Sequence, residues 1–207
     1  MKKLTLIIAI AACFFACTQK KAESLQVITI ADHLKTAITG ETNASAKYAL
    51  ISEQALNQEQ NGIAAMFAAA SYAEGIHVQN HKLVLETLGE TIEVVAEPQI
   101  GEDLEENIQG AIDGETYEFT EMYPPMIEQA NSENNRDALK TFTFAKKAEE
   151  RHALLYSETL ELLKTGNEIA KIWYVCPDCG NLFNTLEGYE MCAICGVNKV
   201  NFILFEK

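Results

Sequence analysis

Four stretches of the chain repeat their apolar positions at steps of three and four, the period of a helix with one buried face. The first runs Ala37, Glu41, Ala44, Tyr48, Ile51, and the second Ile63, Phe67, Ala70, Glu74, His77, His81, Val84, Leu88. The third runs Leu104, Ile108, Ala111, Glu115, Glu118, Met122, and the fourth Ala138, Phe142, Ala145, Glu149, His152, Tyr156, Thr159, Leu163. Helices are expected over 27–57, 60–88, about 104 to 130 and about 133 to 164, the third interrupted near Pro124-Pro125, where two residues cannot donate a backbone hydrogen bond. From Gly89 to Asp103 the periodicity lapses for long enough to run the length of a bundle.

Every stripe passes through glutamate, although a helix normally turns its charges to water. A buried unpaired charge costs several kcal/mol after relaxation, so acids within four apolar stripes call for a cation. Glu74-x-x-His77 and Glu149-x-x-His152 repeat one unit in which a carboxylate and an imidazole share a helix face. Two such units with a glutamate from each of two other helices form the two-metal site of ferritin-like bundles. The alternative is that these acids lie on solvated faces, as most helical glutamates do. The expected class is therefore mostly α: a ferritin-like four-helix bundle over 27–165 with one long crossover.

Past Thr165-Gly166-Asn167 the composition changes, and a second unit is expected over 172–207. Cys176 and Cys179, then Cys192 and Cys195, form two C-x2-C pairs separated by 12 residues, the spacing of a tetrathiolate metal knuckle. Gly180 and Gly196 follow the second cysteine of each pair, where the backbone turns tightly. So short a unit needs metal to supply folding energy. Two disulfides are the alternative arrangement, and iron and zinc both suit four sulfurs.

The chain has 207 residues, 48% of them hydrophobic, which suits one good core and a small second unit. Lys2 and Lys3 precede the apolar run Leu4 to Ala16, which is too short to span a bilayer and reads as a signal peptide over 1–16, followed by a tether over 17–26. Cys17, with polar Thr18 to Lys21 after it, resembles the lipidated residue of a bacterial lipoprotein; Cys13 is the rival, and a conventional secretory signal the alternative. The expected location is outside the cytoplasm, facing the periplasm or cell exterior, held to the membrane by a lipid anchor alone. A chain starting at Cys17 keeps 14 basic and 30 acidic residues, a net charge near −16, which argues against nucleic-acid partners.

Taken together, Gly40-Glu41-Thr42 with Tyr48, the two Glu-x-x-His units, Gly114-Glu115-Thr116-Tyr117-Glu118 running on to Tyr123-Pro124, and the four-cysteine tail resemble rubrerythrin. The likeness covers nearly all of 27–207. Around the cysteines, Tyr174-Val175-Cys176-Pro177-Asp178-Cys179-Gly180 and Cys192-Ala193-Ile194-Cys195-Gly196, with Phe202 and Phe205 after them, resemble rubredoxin, whose aromatic residues surround an iron. The resemblance implies two irons held by Glu41, Glu74, His77, Glu115, Glu118, Glu149 and His152, and one iron, or zinc, held by the four cysteines. It further implies that Glu118 and His77 exchange as ligands when the pair changes oxidation state, and that Tyr48 and Tyr123 hydrogen-bond ligand carboxylates.

The implied activity is reduction of hydrogen peroxide to water in oxidative stress defence. Electrons would enter through the tail from a donor reductase or rubredoxin-like protein. A head-to-tail homodimer would bring one subunit's cysteine iron near the other's iron pair. The competing readings are an iron-sequestering protein with a structural zinc tail, and a ferroxidase or dioxygen-reducing oxidase. Three features depart from the family pattern: the signal segment, Gly75 inside a ligand helix, and Ala193 where proline is common. His81 is expected toward the bundle end and not as a ligand, and His33 at the surface.

Overall fold

The computed structural model describes residues 28–207. The signal segment, the tether, Cys13 and Cys17 lie outside the described residues. Five α-helices come first: α1 (Ile30–Asn57), α2 (Asn61–Thr87), α3 (Leu104–Tyr117), α4 (Tyr123–Ser132) and α5 (Arg136–Thr165). A π-helical turn, Glu118–Met122, joins α3 to α4, so the two act as one interrupted bundle helix. A three-stranded sheet follows, β1 (Ile172–Val175), β2 (Leu182–Phe183) and β3 (Ile203–Glu206), in the antiparallel order β2-β1-β3.

Local chemistry sets the helix ends. Thr29 and Asp32 form a reciprocal capping box at the start of α1, and Asp103 and Asn135 accept the free N–H groups of Glu106 and Ala138 at the starts of α3 and α5. Gly166, at φ 67°, closes α5 in the left-handed conformation. The fourth bundle helix starts at Arg136 rather than near Glu133, because 133–135 form the turn whose last residue is the cap.

The third helix breaks one turn earlier than the prolines suggested. Pro124 and Pro125 sit in the first turn of α4, where a missing N–H is tolerated, and the wide turn just before them absorbs the register change. π-turns of this kind concentrate at functional sites, and this one begins at Glu118.

α1 and α2 run antiparallel. Ser45 and Ser71 donate to each other's backbone carbonyls at 2.8 Å, and Ser52 donates to the Ala64 carbonyl at 2.7 Å. The crossover between α2 and α3 lies along α1. It is pinned by an ion pair from Lys35 to Glu90, by Asn43 accepting from the Glu97 N–H, and by Gln54 donating to the Gly101 and Glu102 carbonyls. Residues 35 to 54 of a helix span about 28 Å, so the connection crosses the bundle from one end to the other.

Bundle and tail share one core. Trp173, Val175 and Leu182 are buried in the same apolar cluster as Tyr48, Phe67 and Tyr156. Phe183, Phe202 and Tyr189 pack around the cysteines, Phe202 stacking on Phe183 with ring centres 4.8 Å apart. Phe205 does not join them; it faces the other way and packs on Tyr72 of α2, 5.5 Å between centres. Among the described residues no helix is long and apolar enough to cross a membrane.

Candidate metal centre

At mid-bundle the four stripes bring their acids together. Glu41 comes from α1, Glu74 and His77 from α2, Glu115 from α3, and Glu149 and His152 from α5, all of them buried. Their donor atoms fall into two sets, Glu41, Glu74, His77 and Glu149 in one and Glu74, Glu115, Glu149 and His152 in the other, each within 4.8 Å. Glu74 and Glu149 belong to both. Glu149 puts Oε1 2.8 Å from His77 Nδ1 and Oε2 2.8 Å from His152 Nδ1; Glu74 puts Oε2 2.9 Å from His77 and Oε1 3.4 Å from His152. Each shared carboxylate thus offers one oxygen to each half, the arrangement of a bridging ligand.

The outer nitrogens of the two imidazoles decide what the inner ones carry. His77 Nε2 lies 3.0 Å from the Cys179 carbonyl and His152 Nε2 3.1 Å from the Gly180 carbonyl. A backbone carbonyl only accepts, so both Nε2 atoms bear protons, and a neutral ring then turns a bare Nδ1 to the carboxylates. His77 Nδ1, His152 Nδ1, Glu41 Oε2 and both oxygens of Glu74 and Glu149 have no hydrogen-bond partner. Lone pairs facing lone pairs in a buried space need cations between them. The residues present therefore fit two metal ions, with three carboxylates and one imidazole around each.

With the protein's own charges alone the cluster is electrostatically frustrated. Burial and the charge of Glu149 push the Glu41 carboxyl up to about 7, while burial and then Glu149 and Glu74 raise Glu115 well above the usual range. Burial works against charging His77 and His152, yet Glu149 and its neighbours outweigh it and hold both rings well above their ordinary values. Metal ions would take over the work that protons do here.

Glu118 stands outside both donor sets. It heads the π-turn, and its Oε1 lies 3.7 Å from where a Cβ on Gly40 would be. The residue keeps some solvent contact, but its carboxyl is pushed well up, by burial first and then by Glu41, Glu115, Glu149 and Glu74.

Tyr48 donates to Glu115 Oε1 at 2.6 Å, and Tyr123 donates to Glu41 Oε1. Each tyrosine thereby fixes one non-bridging carboxylate, as the resemblance implied. Three features at the site go beyond what the sequence announced. Tyr156 is buried beside His152 and Tyr48 with an unpartnered hydroxyl. His81, expected at the bundle end, is fully buried between Tyr123 and Thr141. The third is the pair of tail carbonyls against the histidines, which spacing cannot announce. His33 is partly buried and bonded to Gln129 at 2.9 Å. Nothing in the structure explains Gly75, where a Cβ would meet no atom within 4 Å.

The cysteines form the second centre. Cys176 and Cys195 have their sulfurs 3.3 Å apart, Cys179 and Cys192 3.5 Å, and all four are free thiols. These separations exceed a disulfide bond and suit four sulfurs around one ion. The two knuckles match: Gly180 donates to the Cys176 carbonyl at 3.0 Å and Gly196 to the Cys192 carbonyl at 2.9 Å, with φ of 73° and 82° at the glycines.

Comparison with known proteins agrees with this architecture. The rubrerythrin family profile matches residues 32–160. Rubrerythrin-2 of Clostridium acetobutylicum is 39% identical over 179 residues, 84% of this chain and 96% of that protein. Nigerythrin of Nitratidesulfovibrio vulgaris is 35% identical over 177 residues, 84% of this chain and 85% of that one. A solved structure of nigerythrin in a partially reduced state superposes with a TM-score of 0.79 at 32% identity, covering 88% of this chain and 90% of that one. The cofactors are those such proteins carry: two irons among the carboxylates and histidines and one iron among the cysteines. A bridged carboxylate–histidine centre in a ferritin-like bundle, closed by a tetracysteine tail, and this breadth of likeness place the chain in the rubrerythrin family.

Proposed function

We propose that the chain reduces hydrogen peroxide to water, drawing electrons through its cysteine-bound iron. The observation that carries the proposal is the seating of the tail on the ligand histidines. Cys179, itself a metal-binding residue, accepts a hydrogen bond from His77 through its own backbone carbonyl, and its neighbour Gly180 does the same for His152. A metal-storage site has no use for a redox-capable tetrathiolate bonded to both of its imidazoles. Asn80, donating to the Asp178 carbonyl at 2.9 Å, and the Tyr72–Phe205 contact clamp the same seam.

When bound, the iron pair supplies two electrons and Lewis acidity to the peroxide. The protein residues prepare the place. Glu74 and Glu149 hold the two halves together, Tyr48 and Tyr123 fix the outer carboxylates, and the apolar wall of Phe67, Tyr156 and Phe142 excludes bulk water. By the family resemblance, Glu118 would replace the His77 ring as a ligand when the site gains positive charge. Stopped-flow mixing of anaerobically reduced protein with peroxide or dioxygen is the test. Faster oxidation by peroxide is expected; equal or slower oxidation would refute the proposal.

Two further parts of the proposal concern setting. Export with lipidation at Cys17 rests on Lys2, Lys3 and the apolar run before that cysteine; a Cys17→Ala chain should leave the membrane fraction for the soluble one. A homodimer follows from family likeness, and sedimentation equilibrium should return twice the chain mass. The tail already meets its own bundle, so dimerisation is not needed to join the two centres. The electron donor is proposed to be a reductase or a rubredoxin-like protein.

A further inference from the structure

His81 is a fully buried histidine one turn past His77, and the peroxide chemistry does not use it as a ligand. Its two nitrogens are both engaged. Nδ1 lies 2.9 Å from Thr141 Oγ1 and Nε2 lies 3.0 Å from the Tyr123 hydroxyl, which in turn bonds Glu41. Elementary valence fixes the direction of each bond. Tyr123 has one proton and gives it to a carboxylate, so its oxygen must accept from His81, which places the ring proton on Nε2. Nδ1 is then bare, because full burial holds this imidazole neutral. Thr141 must therefore donate. All three donors point inward, toward the metal ligand.

The outer end of this file reaches solvent. Thr141 lines a surface cavity of about 230 Å³ at the seam of α2, α5 and the tail, together with Asn80, Asp137, Lys140, Phe144 and Asp178. Glu41, at the inner end, accepts the Tyr123 hydrogen bond on Oε1 and belongs to the metal centre.

We infer that Thr141, His81 and Tyr123 form a proton inlet from the seam cavity to Glu41. The inference rests on the peroxide-reducing function proposed above. Reduction of one hydrogen peroxide to two waters consumes two electrons and two protons. The electrons come from the reduced iron pair; one pass along the file supplies one of the protons, and the other comes from solvent admitted with the peroxide. A solvent proton bonds to Thr141 Oγ1 as the Thr141 proton moves to His81 Nδ1; the Nε2 proton moves to the Tyr123 oxygen, and the Tyr123 proton to Glu41 Oε1, from which it reaches the departing oxygen. Each residue along the way gains one proton and gives one up, so no charge is left behind; His81 is left as the Nδ1–H tautomer, which exchange of its ring protons with solvent returns to Nε2–H between turnovers. Tyr123 and His81 are relay and positioning residues, since neither touches the peroxide.

Two measurements test the inlet, using the full-length protein with Thr141→Val, which replaces the hydroxyl by a methyl of similar shape, and Thr141→Ser, which returns it. The first needs no turnover: in protein loaded with zinc at every site, ¹⁵N NMR should show His81 as the Nε2–H tautomer, with an Nδ1 resonance that shifts in Thr141→Val and recovers in Thr141→Ser. An Nδ1–H tautomer, or a protonated ring at neutral pH, would overturn the proposal. In the second, peroxide oxidation of the reduced iron protein should slow about tenfold or more in Thr141→Val, within the range of positioned proton transfer, with an enlarged solvent isotope effect and recovery in Thr141→Ser. An unchanged rate and isotope effect would overturn the inlet while leaving the peroxidase standing. If wild-type protein itself prefers dioxygen, the peroxidase reading falls and the inlet's assigned role with it, and the zinc-form tautomer distinguishes that failure from a wrongly assigned file.

Discussion

Gly180→Ala should uncouple the two metal centres. The glycine has φ 73°, and a Cβ built on it would lie 2.4 Å from His77 Nε2, 3.0 Å from His77 Cδ2 and 3.1 Å from the Ala73 carbonyl. Ordinary contact begins near 3.4 Å, so something must retreat by about 1 Å. His77 cannot: its other nitrogen is fixed on the metal position it shares with Glu74 and Glu149. The tail must give way instead, stretching both carbonyl–imidazole bonds beyond hydrogen-bonding distance. Two such bonds are worth about 1 kcal/mol each, and a left-handed alanine costs about 1–2 kcal/mol, so the expected loss is about 3–4 kcal/mol. Gly188→Ala is the control, since Gly188 also has positive φ, at 78°, but a Cβ there meets nothing within 4 Å. It should lose only the backbone term. Guanidinium unfolding gives the energies, and single-turnover absorbance of the cysteine iron gives the rate at which it re-reduces the pair. If Gly180→Ala matches Gly188→Ala in both, the tail does not pass electrons through this contact.

Other outcomes follow from the same geometry. Gly75→Ala should raise stability by about 0.5–1 kcal/mol, because the site is helical with open space around it; a lowered melting point would mean that the glycine does something the structure does not show. Anaerobically purified protein should contain three irons per chain by metal analysis and show the colour of a ferric tetrathiolate, and zinc in the tail would remove the internal relay. His81 is held neutral, with its pKa lowered to about 3. Its folded value lies below the unfolded 6.5, so stability should be full above about pH 6.5 and fall as pH drops toward 3, by up to about 1.4 kcal/mol per unit for this one proton. His81→Gln should flatten that part of the stability curve. Tyr48→Phe removes the 2.6 Å bond to Glu115 and should cost about 1.5–3 kcal/mol in the loaded protein, measured by denaturation.

Much of this architecture was legible in the chain because helix periodicity and ligand spacing are local. Glu74 with His77, and Glu149 with His152, share a face by three-residue spacing alone, and the structure brings both pairs to one centre. The C-x2-C pairs are equally local. Features that depend on register between elements were not legible. The π-turn begins at Glu118 rather than at the prolines, because the prolines are tolerated in a first turn and the strain is taken up before them. His81 is in the same stripe as the ligands, and only the packing of α4 and α5 shows that Tyr123 and Thr141 occupy its two nitrogens. Phe205 and Phe202 are three residues apart, too close in sequence to reveal that one faces the bundle and the other the cysteines.

The largest gap concerns the way the two domains meet, and it has a physical consequence. An imidazole that ligates through Nδ1 needs its other proton placed, and a carbonyl is the usual means of fixing the tautomer. In this chain those carbonyls belong to Cys179 and Gly180, inside the knuckle of the second metal centre. The knuckle keeps its shape only while its thiolates hold an ion, because metal binding supplies the folding energy of so small a unit. Loss of the tail metal should therefore loosen His77 and His152 and weaken the affinity of the bundle site, even though no bundle ligand has changed. Cys192→Ser protein should bind its iron pair less tightly than wild type, by about 10–100-fold, the usual effect of removing a group that orients a ligand. Competition with a chelator measures this, and equal affinity would show that the bundle sets its own histidines.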